Sequence, residues 1–263
     1  YGDDSLRPIS VQYPSTFSDD VQRRDFTING LALSESGEVR DEVGGLRDIE
    51  ERRLCTIGSS IERFQEDALR MFRLCRFVGQ LGFSIDPSTW AGIEPNLYRV
   101  EGLSVERVRI EIEKILLSDH VDLALDALVQ SHLNEQYCQQ TIEGMVRRIP
   151  IMPELTHLVD LPQSPEHHIY DGWRHTLAVV KEVPSNLVLR WAALLHDVGK
   201  GVEGVRGFHN GRITDRNHDV VGARMTRNML TRLGYSKDFV NLVVWRVERH
   251  MRFHFYVSNP SAD

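Results

Sequence analysis

The sequence has few cysteines and no long hydrophobic run. Its 263 residues include only three scattered cysteines, Cys55, Cys75 and Cys138, whose number and spacing fit neither a disulfide framework nor a cysteine metal site. No apolar run approaches the roughly 20 residues of a membrane-spanning helix, and no signal-like segment is present. These absences predict a soluble, cytoplasmic protein with no membrane partner.

The charge balance is acidic, with a formal net charge of −7 at pH 7. This balance argues against indiscriminate nucleic-acid binding by the chain as a whole. A local arginine-rich face can still hold RNA phosphates inside an acidic protein. RNA therefore remains a possible partner.

Strand signals are concentrated at the start of the chain. Residues 1–57 contain short β-branched or alternating stretches, such as "ISVQY" and "FTINGLALS", separated by Gly-rich turns. From Ser59 onward helical periodicity dominates. A Pro-containing stretch, "RRIPIMPELTHLVDLPQSPEHH", has the composition of a linker. The sequence predicts a mainly α protein with a mixed α/β start.

The stretch "FQEDALRMFRLCRF", from Phe64, is predicted to form one helix with its arginines opposite the apolar arc. Asp67 precedes Arg70 by about one turn, and we expect the two to pair. A carboxylate beside a guanidinium matches the acceptor and donor edge of a nucleobase, and Arg73 and Arg76 would then face phosphate oxygens. The alternative is a solvated helix face with ordinary ion pairs.

Four motifs together resemble, in order and spacing, the tRNA nucleotidyltransferase and bacterial poly(A) polymerase family. They are "QRRDFTINGLAL", "GEVRDEVGGLRDIEERRLCTIG", "FQEDALRMFRLCRFVGQLGFSID" and "LSVERVRIEIEKIL". The resemblance implies the C-terminal part of an α/β nucleotidyltransferase head over residues 1–57, a helical neck over 58–155 and a helical HD domain over 156–263.

The resemblance assigns the "RRDFTIN" segment to the nucleotide. It implies that Arg24 contacts the nucleotide, while Asp25 and Asn29 shape the ribose and phosphate side of the pocket. The "GGLRD" region, residues 44–48, resembles a flexible element that changes base preference. Its local composition fits a plain Gly-rich turn equally well.

The resemblance also assigns the arginine helix. In the family, the positions of Asp67 and Arg70 pair with the base of the incoming CTP or ATP and so replace a nucleic-acid template. The positions of Arg73 and Arg76 line the triphosphate. The helix is therefore expected to select a nucleotide.

One departure from the family concerns the metal ligands of the transfer reaction. The family holds two Mg²⁺ ions with an Asp-x-Asp strand, and this sequence contains no Asp-x-Asp. We expect that an N-terminal portion carrying these carboxylates is absent from the sequence, so that no catalytic metal ligand of the head is assigned here.

A second set of residues lies in the last hundred. Four histidines and one aspartate, spread over several predicted helices, have the side chains that suit a divalent transition metal such as Mn²⁺, Ni²⁺ or Fe²⁺. They are His175, His196, Asp197, His218 and His250. The surrounding "HHIYDGWRHTL" and "LLHDVGK" resemble an HD domain. A fold that keeps the histidines without a competent metal site is the alternative.

The resemblance implies an enzyme that adds CMP and AMP to a tRNA 3′ end without a template, with tRNA or another RNA end, CTP and ATP as partners. A poly(A) polymerase is an alternative. So is a metal-dependent phosphohydrolase of the HD domain, acting on phosphomonoesters or 2′,3′-cyclic phosphates. The third alternative is a noncatalytic RNA-binding relative of the family.

Overall fold

The structure, a computed structural model, describes residues 16–163 and 170–252. The helices of these residues are α1 (Phe17–Val21), α2 (Gly45–Glu50), α3 (Ser60–Glu66), α4 (Leu69–Leu81), α5 (Pro87–Ala91), α6 (Val105–Leu116), α7 (Val121–Gln130), α8 (Gly172–Glu182), α9 (Leu187–Leu195), α10 (His218–Arg232) and α11 (Lys237–Arg249). The mainly α prediction is confirmed. Within the described ranges, no helix has the length and apolar character needed to cross a bilayer.

The strands form two-stranded sheets. They are β1 (Leu31–Leu33), β2 (Val39–Asp41), β3 (Arg53–Leu54), β4 (Ser84–Ile85), β5 (Tyr137–Ile142), β6 (Met145–Pro150), β7 (Arg206–His209) and β8 (Arg212–Asp215). β3 and β4 run parallel, while the other three pairs are antiparallel. Of the expected early strands, "ISVQY" lies outside the described residues.

Two hairpins correct the expectation that strands are confined to the start of the chain. β5 and β6 are joined at Glu143–Gly144, and β7 and β8 at Asn210–Gly211, with positive φ at all four residues. Two successive positive φ values match the twist of antiparallel strands. The "RRIP" stretch that was expected to begin a linker belongs to β6, and the 3-10 helix Pro153–Leu158 follows it.

The predicted continuous helix over residues 64–77 is also wrong. α3 ends at Glu66 and α4 begins at Leu69, because Asp67 has an extended backbone with φ −148° and ψ 105°. The Asp67 Oδ1 accepts a hydrogen bond from the Leu69 amide at 3.0 Å. A short polar side chain that bonds a nearby backbone amide competes with helix continuation.

The start of the described chain is fastened to α4 and β4. Phe26 is fully buried, forms a β-bridge with Thr56, and meets the Phe77 ring edge-on at a centroid distance of 5.5 Å. The parallel pairing of β3 with β4 adds a second connection. Together they place the "RRDFTIN" segment against α4.

Arginines join α10 and the turn that follows it to earlier segments of the chain. Arg232 of α10 forms a two-pronged ion pair with Glu154, with nitrogen–oxygen distances of 2.5 and 2.6 Å, and also donates to the Pro150 and Ile151 carbonyls. Arg109 of α6 donates to the Gly234 carbonyl at 2.6 Å. Buried hydrophobic residues form one cluster that extends from Phe26 into α11.

Gly45 provides a test of how closely α2 approaches the "RRDFTIN" segment. A Cβ at this position would lie 2.2 Å from the Thr27 carbonyl oxygen, which is backbone and cannot rotate away. We predict that Gly45→Ala lowers the free energy of unfolding by about 1–3 kcal/mol, the usual cost of overpacking. Urea denaturation followed by circular dichroism measures it.

Gly207→Ala is the matched control for this prediction. A Cβ on Gly207 would meet its nearest neighbour, the Thr214 hydroxyl oxygen, at an ordinary 3.8 Å. This variant should change stability by no more than about 0.5 kcal/mol. Equal stability of the two variants would contradict the close approach at Gly45.

Candidate nucleotide pocket and metal centre

One cavity of about 700 Å³ collects the residues predicted to bind a nucleotide. Its walls come from the "RRDFTIN" segment, the α3–α4 junction, α4 and α6. The lining residues are Arg23, Arg24, Asp25, Asn29, Asp67, Leu69, Arg70, Arg73, Arg76, Phe77 and Arg107. All seven predicted positions lie on this wall, although they are separated by up to 52 positions in the sequence.

Asp25 connects the "RRDFTIN" segment to α4. It is 6% exposed, and its Oδ1 accepts hydrogen bonds from the Phe26 amide and the Asn29 side chain, both at 2.9 Å. Its Oδ2 accepts from Arg73, with contacts of 2.6 Å to Nε and 2.5 Å to Nη2. Arg24 donates to the Asn29 carbonyl at 2.6 Å. The two segments are thereby held in fixed positions.

The expected pair between Asp67 and Arg70 is replaced by two other pairs. Arg70 binds Glu66 at 2.7 Å and also donates to the Arg23 carbonyl at 2.8 Å. Asp67 instead binds Arg107 of α6 at 3.1 Å. The helix break explains why the expected pair does not form. Asp67 lies outside α4, so its side chain is no longer one helical turn from that of Arg70.

Arg76 does not face solvent as the helical periodicity indicated. It is 8% exposed, and its Nε donates to Glu111 of α6 at 2.7 Å while Nη1 donates to Gln80 at 2.9 Å. Its guanidinium lies over the Phe77 ring, 4.2 Å from the centroid. Packing of α6 against this side of α4 buries a face that was expected to be free.

Four lining residues lay outside the predicted set: Arg23, Leu69, Phe77 and Arg107. Of these four, Arg107 could most readily have been predicted, because it lies in the fourth motif, one turn before Glu111. That spacing puts both side chains on the same side of α6, where Arg107 binds Asp67 at the α3–α4 junction and Glu111 binds Arg76 of α4.

The pocket wall is strongly cationic. Six of its eleven lining residues are arginines and two are aspartates. Guanidinium groups form strong charge-assisted hydrogen bonds to phosphate oxygens. A wall of this composition suits a polyanion such as a nucleoside triphosphate.

The second site is built around the buried Asp197, which has a histidine pair at each carboxylate oxygen. Its Oδ2 lies 3.1 Å from His196 Nε2 and 3.5 Å from His175 Nε2. Its Oδ1 lies 3.2 Å from His218 Nε2 and 3.6 Å from His250 Nε2. All five predicted metal ligands are brought together, in two triads that share Asp197.

Backbone carbonyls orient three of these imidazoles. The Nδ1 of His196, His218 and His250 donates to a carbonyl three residues earlier, at 2.8, 2.7 and 2.7 Å. Their Nε2 atoms are therefore directed toward Asp197, which is how metal-binding histidines are usually held. The donor set fits one or two divalent transition metal ions.

The charge of Asp197 also fits a metal ligand. Burial alone would raise the pKa of Asp197, but hydrogen bonds to His196, His218 and His250 outweigh burial and hold the pKa well below its usual value. The carboxyl group is therefore ionised and ready to ligate. Lys200 lies beside it, with its ammonium 2.7 Å from Oδ2.

Three family models match the chain in succession. They are the poly(A) polymerase head domain over residues 1–55, the probable RNA and SrmB-binding site of polymerase A over 82–141, and the HD domain over 166–260. These matches describe a chain that joins part of a poly(A) polymerase head domain to an RNA-binding region and an HD domain.

The curated relatives include CCA-adding enzymes. That of Lactiplantibacillus plantarum is 34% identical over 248 residues, covering 91% of this chain and 60% of the relative. That of Limosilactobacillus fermentum is 45% identical over 130 residues, covering 49% of this chain and 32% of the relative. The chain belongs to the tRNA nucleotidyltransferase and poly(A) polymerase family. It spans 32% and 60% of the lengths of these two relatives.

Solved structures share the fold. The Bacillus stearothermophilus CCA-adding enzyme in complex with CTP has a TM-score of 0.55 at 24% identity, covering 95% of this chain and 61% of that one. A structure described as a tRNA-processing enzyme (apo form I) has a TM-score of 0.56 at 21% identity, covering 94% and 57%.

The buried pair between Arg76 and Glu111 yields a stability prediction. Both side chains are at least 90% buried, and removing one partner leaves an uncompensated buried charge. We predict that Glu111→Gln lowers the free energy of unfolding by roughly 3 kcal/mol. Urea denaturation at neutral pH measures the change.

Glu113 on the same helix is the control. Its side chain is 30% exposed and lies 3.7 Å from Arg109, so Glu113→Gln should cost no more than about 1 kcal/mol. A loss at Glu111 as small as the loss at Glu113 would mean that the buried pair does not stabilise the α4–α6 contact.

Proposed function

We propose that this chain selects and orients the nucleotide in template-independent addition of CMP and AMP to the 3′ end of tRNA, the reaction of a CCA-adding enzyme. The arginine-rich cavity supports the proposal, because it gathers all seven predicted nucleotide-binding residues on one wall. Residues 1–57 would belong to the head, 58–155 to the neck and 156–263 to the HD domain, in a cytoplasmic protein.

The base-reading role falls to Asp67 and Arg70. Cytosine and adenine both present an exocyclic amine donor beside a ring-nitrogen acceptor, whereas guanine and uracil present a carbonyl acceptor beside an N–H donor. A carboxylate accepts from the amine and a guanidinium donates to the ring nitrogen. This pair of side chains therefore favours CTP and ATP over GTP and UTP.

The two base-reading side chains are held by different contacts. Arg70 is fixed by Glu66 and by the carbonyls of Arg63 and Arg23. Asp67 is held by Arg107 alone among side chains of the described residues. Arg107 neutralises and orients the carboxylate and so prepares it to accept from a base amine.

The triphosphate would lie against the remaining arginines. Arg24, Arg73 and Arg76 line the same wall, and the ion pairs to Asp20, Asp25 and Glu111 fix their guanidinium groups before the nucleotide arrives. Fixed donors lose little side-chain entropy on binding.

The Mg²⁺ that the family uses does not fit this part of the pocket. Its two lining carboxylates, Asp25 and Asp67, are each bound by an arginine, and the sequence contains no Asp-x-Asp. The pocket residues therefore contribute nucleotide binding and orientation, and we assign none of them to Mg²⁺.

Nucleotide affinity tests this proposal directly. This chain should bind CTP and ATP more tightly than GTP and UTP. Asp67→Ala or Arg70→Ala should lower the ratio of these affinities by about 5- to 100-fold, because one bidentate base contact discriminates by that factor. Equilibrium dialysis with each labelled triphosphate measures it.

Arg40→Ala is the control for nucleotide selection, because Arg40 is 61% exposed and pairs with Glu42 outside the cavity wall. It should bind all four nucleotides as the unchanged chain does. Equal affinities for the four triphosphates in the unchanged chain would show that Asp67 and Arg70 do not read a base.

A second activity, metal-dependent phosphoester hydrolysis, is favoured by the two ligand triads around Asp197. A bound Mn²⁺, Ni²⁺ or Fe²⁺ supplies an activated water and neutralises phosphate charge. His175, His196, His218 and His250 would hold the ions, with Asp197 shared between them. Lys200, beside Asp197, is positioned to contact a substrate phosphate.

Hydrolysis of bis(p-nitrophenyl) phosphate and 2′,3′-cyclic AMP in the presence of each of these ions tests the second activity. We predict that His196→Ala abolishes hydrolysis and lowers the metal content measured by inductively coupled plasma mass spectrometry. Arg70→Ala should retain both the hydrolytic activity and the metal content. Metal retention by His196→Ala together with undiminished hydrolysis would place the reaction elsewhere.

A further inference from the structure

The basic charge of this acidic chain is concentrated near its end. Residues 204–252 hold ten of the chain's 31 lysines and arginines but only four of its 38 aspartates and glutamates. Helices α10 and α11 alone carry six basic residues and three acidic ones. One of the acidic residues, Glu248, is paired with its neighbour Arg249. A surface of this sign attracts phosphates.

These charges share a surface with an exposed tryptophan. We define the α10–α11 face by Arg224 and Arg227 of α10 and by Asn241, Trp245 and Arg249 of α11. Arg227 donates to the Asn241 side chain at 2.9 Å, which fixes the register between the helices. α10 and α11 pack against each other as consecutive helices joined by a short turn. One turn back from Arg227 and one turn forward from Asn241, Arg224 and Trp245 therefore lie at the same level of the two helices.

Trp245 differs from the tryptophans of the core. Trp173 and Trp191 are at least 98% buried, and each donates its indole N–H to a side chain. Trp245 is 56% exposed. The Arg249 and Arg246 guanidinium carbons lie 5.1 and 5.9 Å from its ring centroid. An exposed indole flanked by arginines is the arrangement on which nucleic-acid bases stack.

The face is separate from the metal centre. Trp245 precedes His250 by five residues, which is about 500° around a helix and therefore about 140° between the two side chains. His250 turns toward Asp197, while Val243, Val244 and Val247 fill the buried side of α11. Trp245 thus points away from the cluster.

We propose that the α10–α11 face binds RNA, with an unpaired base stacked on Trp245 and the adjoining phosphates held by Arg224, Arg227 and Arg249. The identification of that RNA as tRNA rests on the function proposed above. RNA fits the face better than an apolar partner does, because the aromatic surface is surrounded by guanidinium groups and base stacking tolerates any sequence.

The test is the affinity of this chain for tRNA lacking its 3′ terminus, measured by filter binding across a salt series. Trp245→Ala should weaken binding by about 5- to 100-fold, the loss of one stacked base. Trp245→Phe should retain most of the affinity. The double variant Arg224→Ala/Arg227→Ala should reduce the slope of log affinity against log salt by about 1–2, one for each lost phosphate contact.

Phe208→Ala is the matched aromatic control, because Phe208 is 77% exposed in the same part of the chain but lies on β7. Arg174→Ala is the matched charge control, with a side chain that is 75% exposed on α8. Both should bind tRNA as the unchanged chain does, and all variants should keep the same melting temperature.

The outcomes separate this inference from the proposed function. If Trp245→Ala loses tRNA affinity while its CTP binding is unchanged, RNA binding at the α10–α11 face is supported, even if the chain adds no CMP. Unchanged affinity and salt slope in the face variants overturn it. So does a chain that sediments as a dimer and becomes a monomer in Trp245→Ala, since a second copy would then cover the face.

Discussion

The arginine-lined cavity depends on carboxylates that keep its arginines apart. Guanidinium groups at close range repel one another, and each would move into solvent without a partner. Asp25 holds Arg73, Glu66 holds Arg70, and Glu111 holds Arg76. Asp67 and Arg107 form a fourth pair. The carboxylates belong to different segments, so the same contacts that position the cations also join the "RRDFTIN" segment, α3, α4 and α6.

The position of α6 follows from this arrangement. One side of the helix carries Arg107 and Glu111 to the pocket. Another side carries Arg109 to the Gly234 carbonyl and over the Tyr235 ring. Tyr235 in turn accepts a hydrogen bond from Trp191. A single twelve-residue helix therefore contacts both the arginine-lined cavity and the helices that carry the candidate metal ligands.

The sequence predicted the members of both sites better than their contacts. Motif order was enough to select Arg24, Asp25, Asn29, Asp67, Arg70, Arg73 and Arg76, all of which line one cavity. Helical periodicity failed at Asp67, because a local side-chain bond interrupts the helix there. It also misjudged the exposure of Arg76, because a single helix carries no information about which other helix covers it.

The missed hairpins have two different explanations. Asn210–Gly211 is a strong signal for a two-residue hairpin turn and was available in the sequence. Glu143–Gly144 is a weaker signal, since glutamate seldom adopts positive φ. In both cases only one residue of the flanking strands, Cys138, is buried, so the strands lack the alternation of apolar and polar residues that half-buried strands show.

The candidate metal centre depends on local structure for the orientation of its histidines and on long-range packing for their convergence. His196, His218 and His250 each lie at a helix end, and each is oriented by a carbonyl three residues earlier. That orientation is local, so the sequence nearby determines which nitrogen is available. Convergence on Asp197 depends instead on the packing of α8 to α11. Because Asp197 is buried and charged, the assembled helices must keep donors or a metal ion at both of its oxygens, or they would bear the cost of an unpaired buried carboxylate.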